Sequence, residues 1–225
     1  MNVAAAFESR HRTTAPTAPA KPVEPVVFVV DDDVSVRESL ELLILASGWK
    51  PETFERGDEF LMRPPVESPS CLVLDVSLPD IDGLELQRRV ASDHRDLPII
   101  FITGHGDVPM SVRAMKAGAV EFLMKPFDST AFVNAVTGAI EESRVARARV
   151  AELHELESRF HSLSKREREV MALVVSGQLN KQVAAELRIS EITVKAHRGK
   201  AMHKMNARSF AELVKMASAL TVSRT

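Results

Sequence analysis

Five residues with side chains suited to phosphoryl chemistry recur at comparable places along the first half of the chain. Asp31 and Asp32 follow the apolar run Val26 to Val30, Asp75 follows Cys71 to Leu74, Thr103 closes Ile99 to Thr103, and Lys125 follows Val120 to Met124. Three carboxylates gathered in a small pocket repel one another and stay ionised only with a cation among them. Oxygen ligands with room for water suit Mg2+ better than a transition metal. A carboxylate nucleophile, a metal, a hydroxyl and an ammonium together meet the needs of phosphoryl transfer onto a carboxylate. Metal, Lys and hydroxyl neutralise charge on the equatorial oxygens of the transferred group. Taken singly, each residue has a plainer reading: an Asp in a strand-to-helix loop is usually a helix cap, and Lys125 is an ordinary surface lysine. Their joint order at strand ends is the signal.

The pattern that must position them alternates short apolar strands with amphipathic helices. Strands are predicted at 26–30, about 50–54, 71–74, 99–103 and 120–124, and helices at about 34–46, 58–62, 84–92, 109–117 and 130–142. Five strands alternating with helices argue for a doubly wound α/β domain with a parallel sheet covered on both faces. Ligands in such folds sit beyond the carboxyl ends of the strands. No turn signal follows Gly138 until the Ser162 region, so the last helix is expected to run on into a helical linker over 141–162. Leu153, Leu156, Phe160 and Leu163 have heptad spacing for under two heptads, which leaves a coiled coil and docking on the chain's own domain both open.

From Ser164 onward the pattern is helical. Ser164 with Glu167 and Ser209 with Glu212 form capping boxes, Gly177 is a stop, and Ser190 caps a helix running to about Met205. Short helices joined by the turn at Arg188 to Ser190 have the form of a helix-turn-helix. On the helix after Ser190, Val194, Ala201 and Met205 share a face suited to burial. Lys195, Ala196, Gly199 and His203 lie opposite, flanked by Arg198, Lys200 and Lys204. Such a face suits the DNA major groove, where Lys donates to guanine and other cations meet phosphate.

Composition agrees with two modules. The chain has 225 residues, 45% of them hydrophobic and 27% charged, which excludes a wholly disordered protein. Its apolar runs stop far short of the roughly 18 residues that span a bilayer. Cys71 is the lone cysteine, so no disulfide framework or Cys-based zinc site is expected within one chain, and a reducing, cytoplasmic setting fits. Residues 164–225 hold 12 Lys and Arg against 5 Asp and Glu, whereas residues 1–163 hold 17 against 26. An acidic module that holds a cation and a basic one that meets a polyanion explain this asymmetry, and an unevenly charged solvated surface is the plain alternative. Residues 1–25, rich in Ala, Pro and Thr, are expected to form a disordered tail.

The runs VVDDD (Val29 to Asp33), LVLDVSLPDIDG (Leu72 to Gly83), FITGHGD (Phe101 to Asp107) and FLMKPF (Phe122 to Phe127) resemble the receiver domains of two-component response regulators. The resemblance covers about residues 26–140 and implies a CheY/flavodoxin-like fold. It implies that Asp75 takes a phosphoryl group from a sensor histidine kinase, and that Asp32, Asp75 and the Ser77 carbonyl bind Mg2+ with Asp31 acting mostly through water. Thr103 and Lys125 would hold phosphoryl oxygens, Phe122 would be the switching aromatic, and Ser77 and His105 would tune the lifetime of the modified state. Haloacid dehalogenase-like phosphatases use similar groups, but in a different chain order.

Leu163 to Met205 resembles the LuxR-type helix-turn-helix of FixJ and NarL-like regulators, placing a DNA-binding domain over residues 163–225. That resemblance and the face just described nominate Asn180, Lys181, Thr193, Lys195, Ala196, His197, Arg198, Gly199, Lys200 and Lys204 as DNA-binding residues. Gly199 stands where relatives often carry a larger polar residue. The expected protein is a phosphoacceptor regulator and not an enzyme, catalysing only its own phosphorylation and dephosphorylation, dimerising on phosphorylation, binding promoter DNA and meeting RNA polymerase. The rival readings are a DNA-binding or docking protein with an idle receiver and, for the basic module, a four-helix protein-interaction domain.

Overall fold

The computed structural model describes residues 24–93, 97–104 and 108–222. The expected tail therefore lies almost wholly outside the described residues, as does His105. Strands β1 (Val26–Val30), β2 (Lys50–Phe54), β3 (Ser70–Asp75), β4 (Ile99–Thr103) and β5 (Glu121–Met124) pair in parallel in the order β2-β1-β3-β4-β5. Between and after them come helices α1 (Val34–Ala46), α2 (Gly57–Met62), α3 (Gly83–Asp93), α4 (Val108–Lys116) and α5 (Ser129–His161).

Every residue of β1, β3 and β4 is buried, as continuous apolar runs require when helices cover both faces of a sheet. Val27, Val29, Cys71, Val73, Ile100 and Ile102 join Leu40 and Ile44 of α1 and Phe132, Val136 and Ala139 of α5 in one core. The alternate residues, Phe28, Leu72, Leu74 and Phe101, point to the other face and are equally buried. There Phe60 of α2 meets Phe28 edge-on at 5.6 Å, and Gln87 of α3 donates to the Ala114 carbonyl of α4 at 3.2 Å. Cys71 sits at the centre of the sheet, where burial pushes its thiol far above the ordinary range.

Helix α5 continues without a break from Ser129 to His161, so the expected receiver helix and linker are one element. Its interior has no proline, and Gly138 is simply carried within it, where an added Cβ would meet none of the described residues within 4 Å. The division between two compact units falls inside this helix, between Ile140 and Glu141.

The second unit contains α6 (Lys165–Val175), α7 (Asn180–Leu187), α8 (Glu191–Met205) and α9 (Phe210–Val222). Left-handed residues end the helices: Gly177 follows α6 at φ 95°, Arg188 ends α7 at φ 54° and Asn206 ends α8 at φ 58°. Two small cores hold the bundle. Val170, Val174, Val183, Ala184 and Val194 form one, and Leu163, Met171, Ala201, Met205, Leu213 and Leu220 form the other. Leu156 and Phe160 of α5 pack on the second core, of which Leu163 is a member, so three of the four heptad-spaced residues are committed to their own unit.

A polar clip joins α6 to α8. Ser164 and Glu167 cap each other reciprocally, and the buried Glu167 carboxylate also accepts from Lys204 Nζ at 2.7 Å. Lys204 donates as well to the Ser162 carbonyl, at 3.1 Å. The ammonium beside it, with the Ser164 N–H, holds the Glu167 carboxyl below the usual range. Such a group stabilises the fold above the ordinary Glu pKa and ceases to do so as pH falls through its lowered value. Glu167→Ala is expected to cost about 2 kcal/mol in urea unfolding at pH 7, through the lost cap and charged hydrogen bond. The gap between native and variant curves should narrow as pH drops below about 4.

Candidate functional site

The order β2-β1-β3 makes the carboxyl ends of β1 and β3 a topological switch point, where connections leave in opposite directions and open a crevice. Asp31 and Asp32 follow β1, and Asp75 is the last residue of β3. Each offers a carboxylate oxygen, and these lie within 4.8 Å of one another. Asp31 is fully buried, with Oδ1 accepting the Asp33 N–H at 2.9 Å and Oδ2 accepting from Lys125 Nζ at 2.6 Å. The same ammonium stands 3.6 Å from Asp75 Oδ2. Asp32 is exposed and forms the solvent side of the cluster.

Asp75 is nearly buried, and among the described residues its Oδ1 has no hydrogen-bond partner. Desolvation pushes its carboxyl above the usual range. Lys125 opposes that shift and the neighbouring Asp31 charge adds to it. A buried acceptor without a donor is costly unless something else approaches it. An all-oxygen donor set, one member open to water and one with an unpartnered oxygen, fits a hard divalent cation such as Mg2+.

Thr103 ends β4 and is buried. Its carbonyl accepts the Lys125 N–H at 2.7 Å, so the register of β4 and β5 delivers hydroxyl and ammonium to the same edge. Ser77 is exposed in the loop after β3, where it bridges to Asp82. Phe122 of β5 is half-buried, its ring 6.3 Å from Phe101. The structure thus brings Asp31, Asp32, Asp75 and Lys125 together directly, with Thr103 on the adjoining strand end.

Supporting residues were not legible as such in the sequence. Asp33 caps α1 by accepting the Ser35 N–H, and Arg37 donates to the Asp31 carbonyl at 2.6 Å. Asp80 accepts the N–H groups of Gly57 and Asp58 at the start of α2, tying that helix to the loop after β3. A Cβ on Gly83 would stand 2.7 Å from the Asp75 carbonyl oxygen and 2.9 Å from Val76 Cα. Only glycine lets the loop return so close beneath Asp75.

On α8 the buried side is Val194, Ala201 and Met205, as the spacing predicts. Lys195, Ala196, Gly199, Lys200 and His203 are exposed, and Lys181 is exposed on α7. Asn180, Thr193 and His197 are half-buried, and the Thr193 hydroxyl is engaged with the Ser190 cap at 2.8 Å. Two of the expected flanking cations turn toward their own unit. Arg198 lies 4.7 Å above the Phe210 ring, and Lys204 is committed to Glu167. Ile192, which the sequence reading did not select, is 80% exposed. Its position four residues before Ala196 would have placed it on the outer face.

Residues 27–137 match the family described as response regulator receiver domain, and residues 161–217 match the bacterial regulatory proteins of the luxR family. The chain is 49% identical to Nodulation protein W of Bradyrhizobium diazoefficiens, over 88% of this chain and 87% of that one. It is 42% identical to the transcriptional regulatory protein FixJ of Rhizobium meliloti, over 86% and 95%. The solved structure of the response regulator StyR matches with a TM-score of 0.78 at 46% identity, over 87% of this chain and 98% of that one. Full-length FixJ from B. japonicum matches with a TM-score of 0.53 at 38% identity, over 88% and 97%. The chain belongs to the two-component response regulators that join a receiver domain to a LuxR-type helix-turn-helix domain. It is by class a phosphorylation-controlled regulator of transcription that binds DNA. Among the described residues, no helix is long and apolar enough to cross a membrane.

Two outcomes follow from the pocket. With its carboxyl raised, ionised Asp75 is costlier in the fold than in the unfolded chain. That cost is absent below the ordinary carboxylate range and grows as pH rises through the raised value. In a chelator at pH 7, Asp75→Asn should therefore melt above the native chain, the difference shrinking toward about pH 4. Added Mg2+ should raise the melting temperature of the native chain but not of the variant. Gly83→Ala should cost about 1–3 kcal/mol by overpacking, read by denaturant titration.

Proposed function

We propose that Asp75 is the phosphoacceptor of a switch that controls promoter binding by this chain. The observation that carries the reading is one ammonium, Lys125, shared by the buried Asp31 and Asp75 carboxylates, with Asp75 Oδ1 unpartnered among the described residues. In this reading Asp75 Oδ1 attacks the phosphorus of a phosphohistidine on a sensor histidine kinase. The O–P bond forms, the P–N bond breaks, and the imidazole leaves as it takes up a proton. Asp32, Asp75 and the Ser77 carbonyl would hold Mg2+, with Asp31 alongside. The ion, when bound, neutralises charge on the transferred group.

Lys125 exchanges part of its contact with Asp31 for a phosphoryl oxygen, and the Thr103 hydroxyl takes another. The phosphoryl group adds a charge of about −1.5 to −2 at Asp75. Movement of Thr103 toward it makes room for Phe122 to pack inward. Val108, Val112 and Met115 of α4 and Met124 of β5 are exposed and apolar, which supports a pairing surface between two receivers. The receiver spans 26–140, the linker 141–162 and the DNA-binding domain 163–225. A phosphorylated dimer sets two α8 helices on adjacent half-sites, so affinity rises through shared binding. The setting is the cytoplasm, and the bound dimer meets RNA polymerase at the promoter.

Asn180, Lys181, Thr193, Lys195, Ala196, His197, Arg198, Gly199 and Lys200 form the DNA surface, with Lys204 fixing α8 from behind. Arg198, braced by Phe210, serves a phosphate. Arg198→Ala should weaken binding evenly across sequences and lower the salt slope by about 1.

Intact mass after incubation with Mg2+ and a small phosphodonor tests the switch. One phosphoryl group should appear on the native chain and none on Asp75→Asn, with larger size and tighter DNA binding in the native sample alone. Lys125→Met should slow uptake by about 10²-fold. Absence of any mass gain on the native chain would leave an idle receiver and overturn the proposal.

A further inference from the structure

The outer face of α8 has an unusual chemistry for a surface that meets DNA. Ile192, Ala196, Gly199 and His203 follow one another at spacings of 4, 3 and 4 and so share a face. That face lies opposite Val194, Ala201 and Met205, each of which is fully buried. Its first two turns present an isoleucine, an alanine and a glycine, none of which has a side-chain hydrogen-bonding group. Ile192 is 80% exposed, so its side chain contributes little to the core of its own unit.

Gly199 is equally unexplained by internal packing. Among the described residues a Cβ there would meet nothing within 4 Å, and its backbone is not in the left-handed region. Glycine in a helix interior is less stable than alanine, so the fold itself gives no reason for it. The helix's single arginine, the residue best able to grip guanine with two hydrogen bonds, is drawn back over Phe210. Lys195 and Lys200, both exposed, stand on either side of the apolar face.

A lone exposed isoleucine is ordinary on a protein surface. Ile192 is distinguished by its neighbours: a side chain without polar atoms, continued by two that permit close approach, between two cations placed to meet phosphates. On the edge of a base pair in the major groove, the apolar group is the thymine C5-methyl, which 5-methylcytosine also carries. We infer that Ile192 is a specificity-determining residue that reads the C5-methyl of thymine in each half-site. Ala196 and Gly199 let α8 sit close enough for that contact. This rests on the reading that α8 enters the major groove, and adds how it discriminates once there.

The test uses the 225-residue chain treated with Mg2+ and a small phosphodonor. Duplexes are selected from a randomised pool, and each thymine of the selected half-site is then replaced singly by uracil, which lacks the methyl. At one or two positions uracil should weaken binding about three- to fourfold, the equivalent of one buried methyl group. Ile192→Ala should bind thymine and uracil duplexes alike at those positions. 5-Methylcytosine should recover more affinity than cytosine there for the native chain only.

Gly199→Ala gives a second readout with opposed signs. It should raise the melting temperature of the protein yet weaken binding to the selected duplex severalfold, which a purely structural glycine would not do. If native chain and uracil duplexes bind as tightly as their thymine counterparts, the methyl inference fails while groove binding by α8 stands. If no duplex is enriched with or without the phosphodonor, DNA reading by α8 fails and this inference with it.

Discussion

Lys125 reaches two carboxylates whose positions in the chain are set by different strands, standing 2.6 Å from Asp31 and 3.6 Å from Asp75. Without it, two buried acids at neighbouring strand ends would face each other across a region of low dielectric, where like charges repel far more strongly than in water. The sheet must therefore deliver β1, β3 and β5 to a common edge in the correct register. Most of the first unit's construction serves that delivery. Continuous apolar strands bury the sheet on both faces, the β4–β5 register carries Lys125 beside Thr103, and Gly83 lets the loop fold back beneath Asp75. A carboxylate raised by burial, with an oxygen that no described residue partners, favours the arrival of positive charge.

The sequence made the sheet and its chemistry legible because strand ends are local events. An apolar run followed by an acid, a hydroxyl or a lysine can be seen without knowing what lies across the sheet. All five strands fall within a residue or two of their expected positions. What escaped were interactions between segments distant in the chain, or competition among neighbours for one partner. Asp80 caps a helix more than twenty residues earlier, Arg37 braces the Asp31 carbonyl, and Lys204 answers to Glu167. Helical periodicity placed Arg198 beside the outer face of α8, but an aromatic ring on the next helix draws it inward. The length of α5 was legible for the same local reason as the strand ends: no turn signal follows Gly138 until the Ser162 region, and a helix continues where nothing stops it.

The helix-turn-helix unit solves a different problem from the receiver. Its helices are short and its two cores small, so orientation is secured by polar devices at the helix ends: reciprocal caps, left-handed terminators and the Glu167–Lys204 pair. These hold the inward side of α8 against α6, leaving its outward side free of internal duties. A surface released from packing can be shaped entirely by what it recognises. This is why an isoleucine and a glycine that serve no purpose within the unit carry information about its partner.

The position of Cys71 has a practical corollary. The chain's one thiol is sealed in the middle of the sheet and kept protonated by its surroundings, so at neutral pH it offers almost no thiolate to an alkylating or oxidising reagent. A cysteine introduced at any exposed site would thus be the sole reactive handle in an otherwise unaltered protein. Fluorophores or spin labels could be attached one at a time without first removing a native residue from the core. The mobility and surroundings of each labelled site could then be followed on addition of Mg2+, a phosphodonor or DNA, in a chain whose internal packing remains that of the wild type.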